Sequence, residues 1–294
     1  MVSSNRVKSS LNNIVKSFAV IMMIVLTVMV SSNCFSASAE TSKKVLSAPK
    51  MISSKNIDSD FTHPYNRQTN QIVVHWTPVK GATKYRLYIK GGKYKKWTSY
   101  RKVADTKCTV SGLSRSTQYS FKVKALNTKA SSDFSGVQKL STARMNFDKA
   151  GWEAMCRIVY HEVGMINTAM WDKPIVYVAD CVVNRYVQAK YLNHPTWAPF
   201  YRGYSNIQSV IYSSGGFMSS EQLARDGASY YNVPLRVKKA VVGAVYGCTT
   251  YKGIQNDYNV FYWCNRSYKQ NSSKIAYSFR IPWGYFNVWR SYWG

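Results

Sequence analysis

Hydrophobic positions change their spacing along the chain. Between Phe18 and Val30 they form a run of 13 residues interrupted only by Thr27. From Ile72 the period is two. Ile72, Val74 and Trp76 alternate with polar neighbours, Pro78, Gly81 and Ala82 turn the chain, and Tyr85, Leu87 and Ile89 resume the alternation. Val103, Cys108 and Val110 follow, Gly112 turns again, and Tyr119, Phe121, Val123 and Ala125 give another strand. Short alternating runs separated by turn residues predict an antiparallel β-sandwich over 46–145, after a Ser/Lys-rich linker at 40–45.

At Asp148 the period becomes 3.6. Trp152, Met155, Cys156, Val159 and Glu162 share one helical stripe, ended by Gly164. Asp172, two residues ahead of Pro174, predicts a second helix with Ile175, Val178, Ala179, Val182 and Tyr186 on its apolar face. Ser205 is expected to open a third helix through Ile207, Val210 and Ile211. Pro234 opens a fourth through Val237, Ala240, Val241 and Val245. Strand-like aromatic runs at 260–263 and 275–289 close the chain. The expected fold class is therefore multidomain: an all-β sandwich followed by a mainly helical α+β domain over 146–294.

The first apolar run changes meaning once charge is considered. Arg6, Lys8 and Lys16 precede it, no acid does, and Ala37-Ser38-Ala39 follows it. These are the three parts of a signal peptide over 1–39, and 13 residues fall short of the roughly 20 that span a bilayer. The protein is expected to be secreted and associated with the wall of a Gram-positive-type bacterium, without a stable membrane span. The net charge of +27 then selects partners outside the cell. Residues 46–146 hold 19 Lys/Arg against 4 acids, and 147–294 hold 16 against 8. Peptidoglycan and anionic wall polymers are the expected partners; no nucleic-acid motif occurs, and the chain is expected to act as a monomer. Trp97 and Tyr100, set among Lys93, Lys95, Lys96, Arg101 and Lys102, read as an edge strand guarded by lysines, with a polyanion-binding strip as the alternative. Of the five cysteines beyond the leader, Cys156 and Cys181 lie in helical patterns as small core residues, whereas Cys248 and Cys264 are positioned to pair or not.

Two family resemblances sharpen this outline. Val74-His-Trp76-Thr-Pro78, Gly81-Ala-Thr-x-Tyr85-x-Leu87-Tyr88 and Gly112-Leu113-x5-Tyr119-x-Phe121-x-Val123-x-Ala125 resemble a fibronectin type III domain. The resemblance implies a core role for Trp76 and a corner role for Tyr119, with binding or spacing as the task. Cys156-Arg-Ile-Val-Tyr160-His-Glu162-Val-Gly164, then Tyr177 to Asn184-Arg185, resemble the spore-cortex-lytic (SleB-type) cell wall hydrolases. Val210-Ile-Tyr-x-x-x-Gly216-Phe217, a helix ending at Gly247, Val260-Phe-Tyr262 and Gly284-Tyr-Phe286 follow in that family's order. The resemblance implies a lysozyme-like fold, Glu162 as acid/base, and Phe217, Gly216, Tyr262, Asn184 and Arg185 as substrate-binding residues. That family usually carries Gln where Gly216 stands.

Glu162 has an independent argument. It continues an apolar stripe at a helix C-terminus, and both burial and the helix dipole favour its protonated form. A carboxyl that stays protonated is what a glycosidic oxygen needs from its general acid. The competing assignment is a helix-end glutamate bonded to Arg185. Glycosidases ordinarily use two carboxylates, and Glu153 and Glu221 sit in unremarkable contexts, leaving Asp172, Asp180, Asp226 and Asp257 as candidates. One acid suffices when the muramic acid C6 hydroxyl attacks its own C1, so a lytic transglycosylase is favoured over a muramidase. No cofactor or metal is expected: position 165 is Met where a zinc helix would need a second His. A cysteine endopeptidase or amidase on Cys181 fits poorly, because that residue lies mid-helix among apolar neighbours. A wall-binding protein with a decayed hydrolase domain is the other alternative. Trp263, Trp283, Tyr285, Trp289 and Trp293 serve either as core or as sugar-stacking surface.

Overall fold

Cross-strand pairing builds the first half. In the computed structural model, which describes residues 46–53, 57–59, 62–164, 168–213, 216–219, 221–222, 229–247 and 251–291, β1 (Gln71–His75) pairs antiparallel with β4 (Lys107–Ser111). The second sheet has the order β3-β2-β5-β6, from β2 (Lys84–Gly91), β3 (Tyr94–Val103), β5 (Gln118–Leu126) and β6 (Gln138–Ser141). Residues 1–39, expected to be a signal peptide, the expected linker 40–45, Met165, Asp226, Cys248 and Trp293 lie outside the described residues. Alternate residues Ile72, Val74, Leu87, Ile89, Val110, Phe121 and Val123 are fully buried between the two sheets, as a period of two requires. Trp76 fills the core, and the Tyr119 hydroxyl accepts a hydrogen bond from the Ser114 N–H at 2.9 Å. The lysine-rich strand β3 is an edge strand.

The second half is a helical region with three added strands. The Asp148 carboxylate accepts from the Gly151 N–H at 2.7 Å and so starts α1 (Lys149–Val159). The long helix α2 (Asp172–Tyr191) is buried along nearly its whole length, polar Asp180 and Asn184 included. Short helices α3 (Ala198–Tyr201) and α4 (Ile207–Tyr212) follow. Asn206 rather than Ser205 caps α4, accepting from the Ser209 N–H at 2.8 Å. Helix α5 (Leu235–Tyr246) packs on α2 and stops at Gly247 in the left-handed conformation. The run 275–289 is a hairpin rather than one strand: β8 (Ile275–Ile281) turns at Pro282-Trp283 into β9 (Gly284–Trp289), which also pairs with β7 (Tyr262–Arg266). Cys156 and Cys181 are fully buried, and Cys264 is free.

No spacer separates the halves; Leu46–Gly294 is one compact unit. Gln68 exchanges side-chain bonds with both backbone groups of Phe147, at 2.9 and 3.1 Å. The Tyr246 hydroxyl donates to the Pro64 carbonyl at 2.6 Å while the Arg67 guanidinium lies 3.7 Å over its ring. Arg144, 4% exposed, donates to the Ala244 carbonyl at 2.9 Å and to Asn184 Oδ1 at 2.7 Å. Asn184 Nδ2 in turn donates to the carbonyls of Asp257 and Val260, each at 2.9 Å. A buried guanidinium with its donors engaged ties the end of the sandwich into α2, α5 and the loop before β7.

Candidate active site

Helix α1 does not run straight to Gly164. After Val159 it widens into a π-helical turn, Tyr160–Gly164, and Glu162 sits in that turn. Such turns are rare and occur frequently at functional sites. Gly164 closes it because a Cβ there would lie 2.8 Å from both Val237 Cγ2 and Tyr160 Cδ2. The Gly164 carbonyl accepts from Arg236 at 2.5 Å, which anchors the turn to α5.

Glu162 is half-buried, and Trp263 Nε1–H donates to its Oε2 at 3.2 Å. Burial raises the pKa of its carboxyl, more than the Trp263 hydrogen bond and the positive charges of His161 and Arg185 lower it. The partner is Trp263 and not Arg185, so the helix-end ion pair weighed from the sequence is not formed. Among the described carboxylates, Asp172 is held by Lys252 and Tyr251, Asp257 by Arg290 and Tyr277, and Glu153 lies 4.0 Å from Lys149. Asp180 is fully buried and accepts from Asn256 Nδ2 and the Asp257 N–H, both at 2.8 Å. Burial pushes its carboxyl up to about 7.

Around Glu162 the chain assembles an aromatic wall on one cation. Arg185, on α2 and 8% exposed, donates through Nε to the Phe261 carbonyl at 2.8 Å. Its guanidinium lies 4.4 Å from the Phe217 ring, 4.7 Å from Tyr262, 5.3 Å from Trp197 and 5.9 Å from Trp263. Phe217 stacks on Trp263 with centroids 5.6 Å apart and planes 8° from parallel. Glu162, Arg185, Phe217 and Tyr262 are thus brought together, through Trp263 and Trp197. Trp263 was one of several aromatics of open purpose, and Trp197 was not singled out.

Two predicted residues have other tasks. Asn184 is fully buried with its amide committed to Arg144, Asp257 and Val260, so it builds the joint and reaches no open surface. Gly216 is required by the backbone. Its N–H donates to the Ser213 carbonyl at 2.8 Å, and a Cβ would lie 2.2 Å from the Val210 carbonyl oxygen. This tight turn carries Phe217 onto Trp263 and admits no glutamine side chain. Sequence adjacency concealed the division between Asn184 and Arg185: consecutive helical residues point about 100° apart. The cavity of about 170 Å³ lined by His63, Arg67, His75 and Val242 lies at the joint and contains none of the predicted residues.

The arrangement supplies a carboxyl biased toward its protonated form, a fixed indole donor and flat rings at a half-open surface. It can deliver a proton to an oxygen held against those rings. Among the described residues no cluster of three or more His, Cys, Asp or Glu could hold a metal ion.

Comparison with known proteins bears on the sandwich. Residues 60–138 match the family described as Fibronectin type III domain. The crystal structure of FN3tt is 23% identical, covering 26% of this chain and 78% of its own, with a TM-score of 0.23. The FN5 domain of Drosophila Lar is 21% identical, covering 33% and 97%, with a TM-score of 0.26. The fibronectin type III domain of human fibronectin type III domain containing protein 3 is 20% identical, covering 36% and 89%, with a TM-score of 0.25. No curated protein matches the chain. The segment 60–138 is a fibronectin type III domain, joined here to a helical region and three further strands.

Proposed function

We propose that the protein is a secreted, wall-associated enzyme that cleaves the glycan strand of peptidoglycan, with residues 146–294 as a SleB-type, lysozyme-like catalytic domain. The observation that carries this reading is the Glu162 carboxyl, biased toward protonation by burial and faced by the Phe217–Trp263 stack. Rings of this kind pack on sugar faces, and the carboxyl then protonates the glycosidic oxygen as its bond to C1 breaks. Among the described residues, Asp172, Asp180, Asp257 and Glu153 are each engaged by other partners, and we assign attack on C1 to the muramic acid C6 hydroxyl of the same sugar. Glu162 takes up that hydroxyl's proton, and the product is an anhydro end, as a lytic transglycosylase makes. The site needs no cofactor or metal for this chemistry.

The test is digestion of purified peptidoglycan by the secreted chain and by its Glu162→Gln variant. Clearing by the wild type alone, with anhydro-muramic ends in the mass spectrum, is expected. Equal clearing by both removes Glu162 from the chemistry, and reduced muramic ends reassign the reaction to hydrolysis. The second reading is a non-catalytic wall-binding protein, favoured by the turn at Gly216, which leaves no amide at that position. It requires co-sedimentation with peptidoglycan and no product from either protein.

A further inference from the structure

Strand register places like charges side by side on the fibronectin type III domain. Arg86 on β2 is directly opposite Lys102 on β3 and directly opposite Lys124 on β5. Directly paired residues share a face, and Leu87 beside them points into the core, so all three project outward. Two residues along, Tyr88 pairs with Lys122; two further, Lys90 pairs with Ser120, which pairs with Lys139. Strands lie about 4.8 Å apart and alternate residues about 6.8 Å, so six cations occupy a field of roughly 15 by 14 Å. None of the six forms an ion pair among the described residues, and Arg86 Nε is buried without a hydrogen-bond partner. Like charges directly opposite destabilise a sheet, and guarding its two edges needs charges on β3 and β6, not across the inner strands β2 and β5. Edge protection therefore does not explain the pattern.

The aromatic side chains on this face fix two of the cations. Lys122 Nζ lies 4.4 Å from the Trp97 ring centroid and 3.7 Å from Phe134, and Lys124 Nζ lies 4.3 Å from Phe134. These cation–π pairs hold the two ammonium groups in place, so the face presents fixed positive charge. We propose that the outer face of the β3-β2-β5-β6 sheet binds a linear polyol-phosphate polymer of the bacterial wall, its phosphodiesters lying along the Lys102–Arg86–Lys124 row. The surface is distinct from the Glu162 site and holds the polymer by charge, and the choice of a wall polymer rests on the wall-associated reading above.

The probe is poly(glycerol phosphate), titrated against the secreted full chain at several salt concentrations. Replacing the row by Arg86→Gln, Lys102→Gln and Lys124→Gln is expected to weaken binding at least about tenfold. It should also flatten the slope of log affinity against log salt by about 2, since each lost phosphate contact removes about 0.7–0.9. A control, Lys129→Gln, Lys239→Gln and Lys269→Gln, removes the same charge from exposed positions elsewhere and is expected to change neither as much. The pair Lys90→Gln and Lys139→Gln weakens binding without touching half-buried Arg86. Equal weakening by the control, or no binding by the wild type, overturns the proposal. Oligothymidine of equal phosphate number binding as tightly through the same row reassigns the face to nucleic acid. The Glu162→Gln chain is expected to bind the polymer like wild type, which separates this result from the fate of the catalytic reading.

Discussion

Replacing Trp263 by Phe isolates one interaction at the candidate acid. The ring keeps its stack on Phe217, now 5.6 Å between centroids, while the Nε1–H that donates to Glu162 at 3.2 Å is lost. Hydrogen bonds to charged groups contribute about 1.5–3 kcal/mol, and this one is longer than the 2.7–2.9 Å usual for such pairs, so the lower figure applies. About 1.5 kcal/mol corresponds to about one pKa unit. The indole stabilises the ionised carboxylate, so its removal raises a pKa that burial already raises. A general acid works protonated, and its activity falls as pH rises through its pKa. The falling limb of peptidoglycan clearing should therefore move up by about one pH unit, with the rate at low pH nearly retained. Stability has the same sign: ionising Glu162 costs folding free energy above its unfolded value of 4.5, and that cost grows in the variant. A limb that stays in place, or moves down, in a folded protein refutes the role given to the indole.

Two further outcomes follow from the buried polar groups. Asn184→Ala removes the acceptor of Arg144 Nη2, whose guanidinium keeps only its Ala244 bond, and the donor to two carbonyls, and should cost about 3–5 kcal/mol, read as a lower denaturant midpoint at unchanged slope. Asp180 has a folded pKa of about 7 against 3.8 unfolded, so it contributes stability below about pH 4 that is lost as pH rises through about 7. Asp180→Asn does not titrate, so the stability difference between wild type and variant should shrink between pH 4 and pH 8 in urea unfolding. A constant difference contradicts the assigned shift.

The sandwich was legible because its signal is local. Alternation marks which residues face inward, and Trp76 and Tyr119 lie where their spacing put them. Helices α1, α2 and α5 were legible for the same reason, through the 3.6-residue stripe. The Glu162 site was legible only in part. The stripe located the carboxyl, but the widening of the last turn depends on packing against Val237 and Arg236, more than 70 residues away. Trp263 is 101 residues from Glu162, and no periodicity encodes that meeting. Gly216 looked like a missing amide because sequence shows only the residue absent, not the carbonyl occupying its space. The cationic row was likewise invisible until register placed Lys102, Arg86 and Lys124 in line.

The joint at Arg144 bears on where the chain can be cut. Here the residue leaving the last strand is plugged into α2, and Tyr246 of α5 is roofed by Pro64 and Arg67. A fragment beginning at Asn146 would open the slot around Asn184 and uncover the Tyr246 ring. The smallest piece that keeps this joint closed is therefore the whole unit Leu46–Gly294, with the sandwich serving as part of the other half's wall.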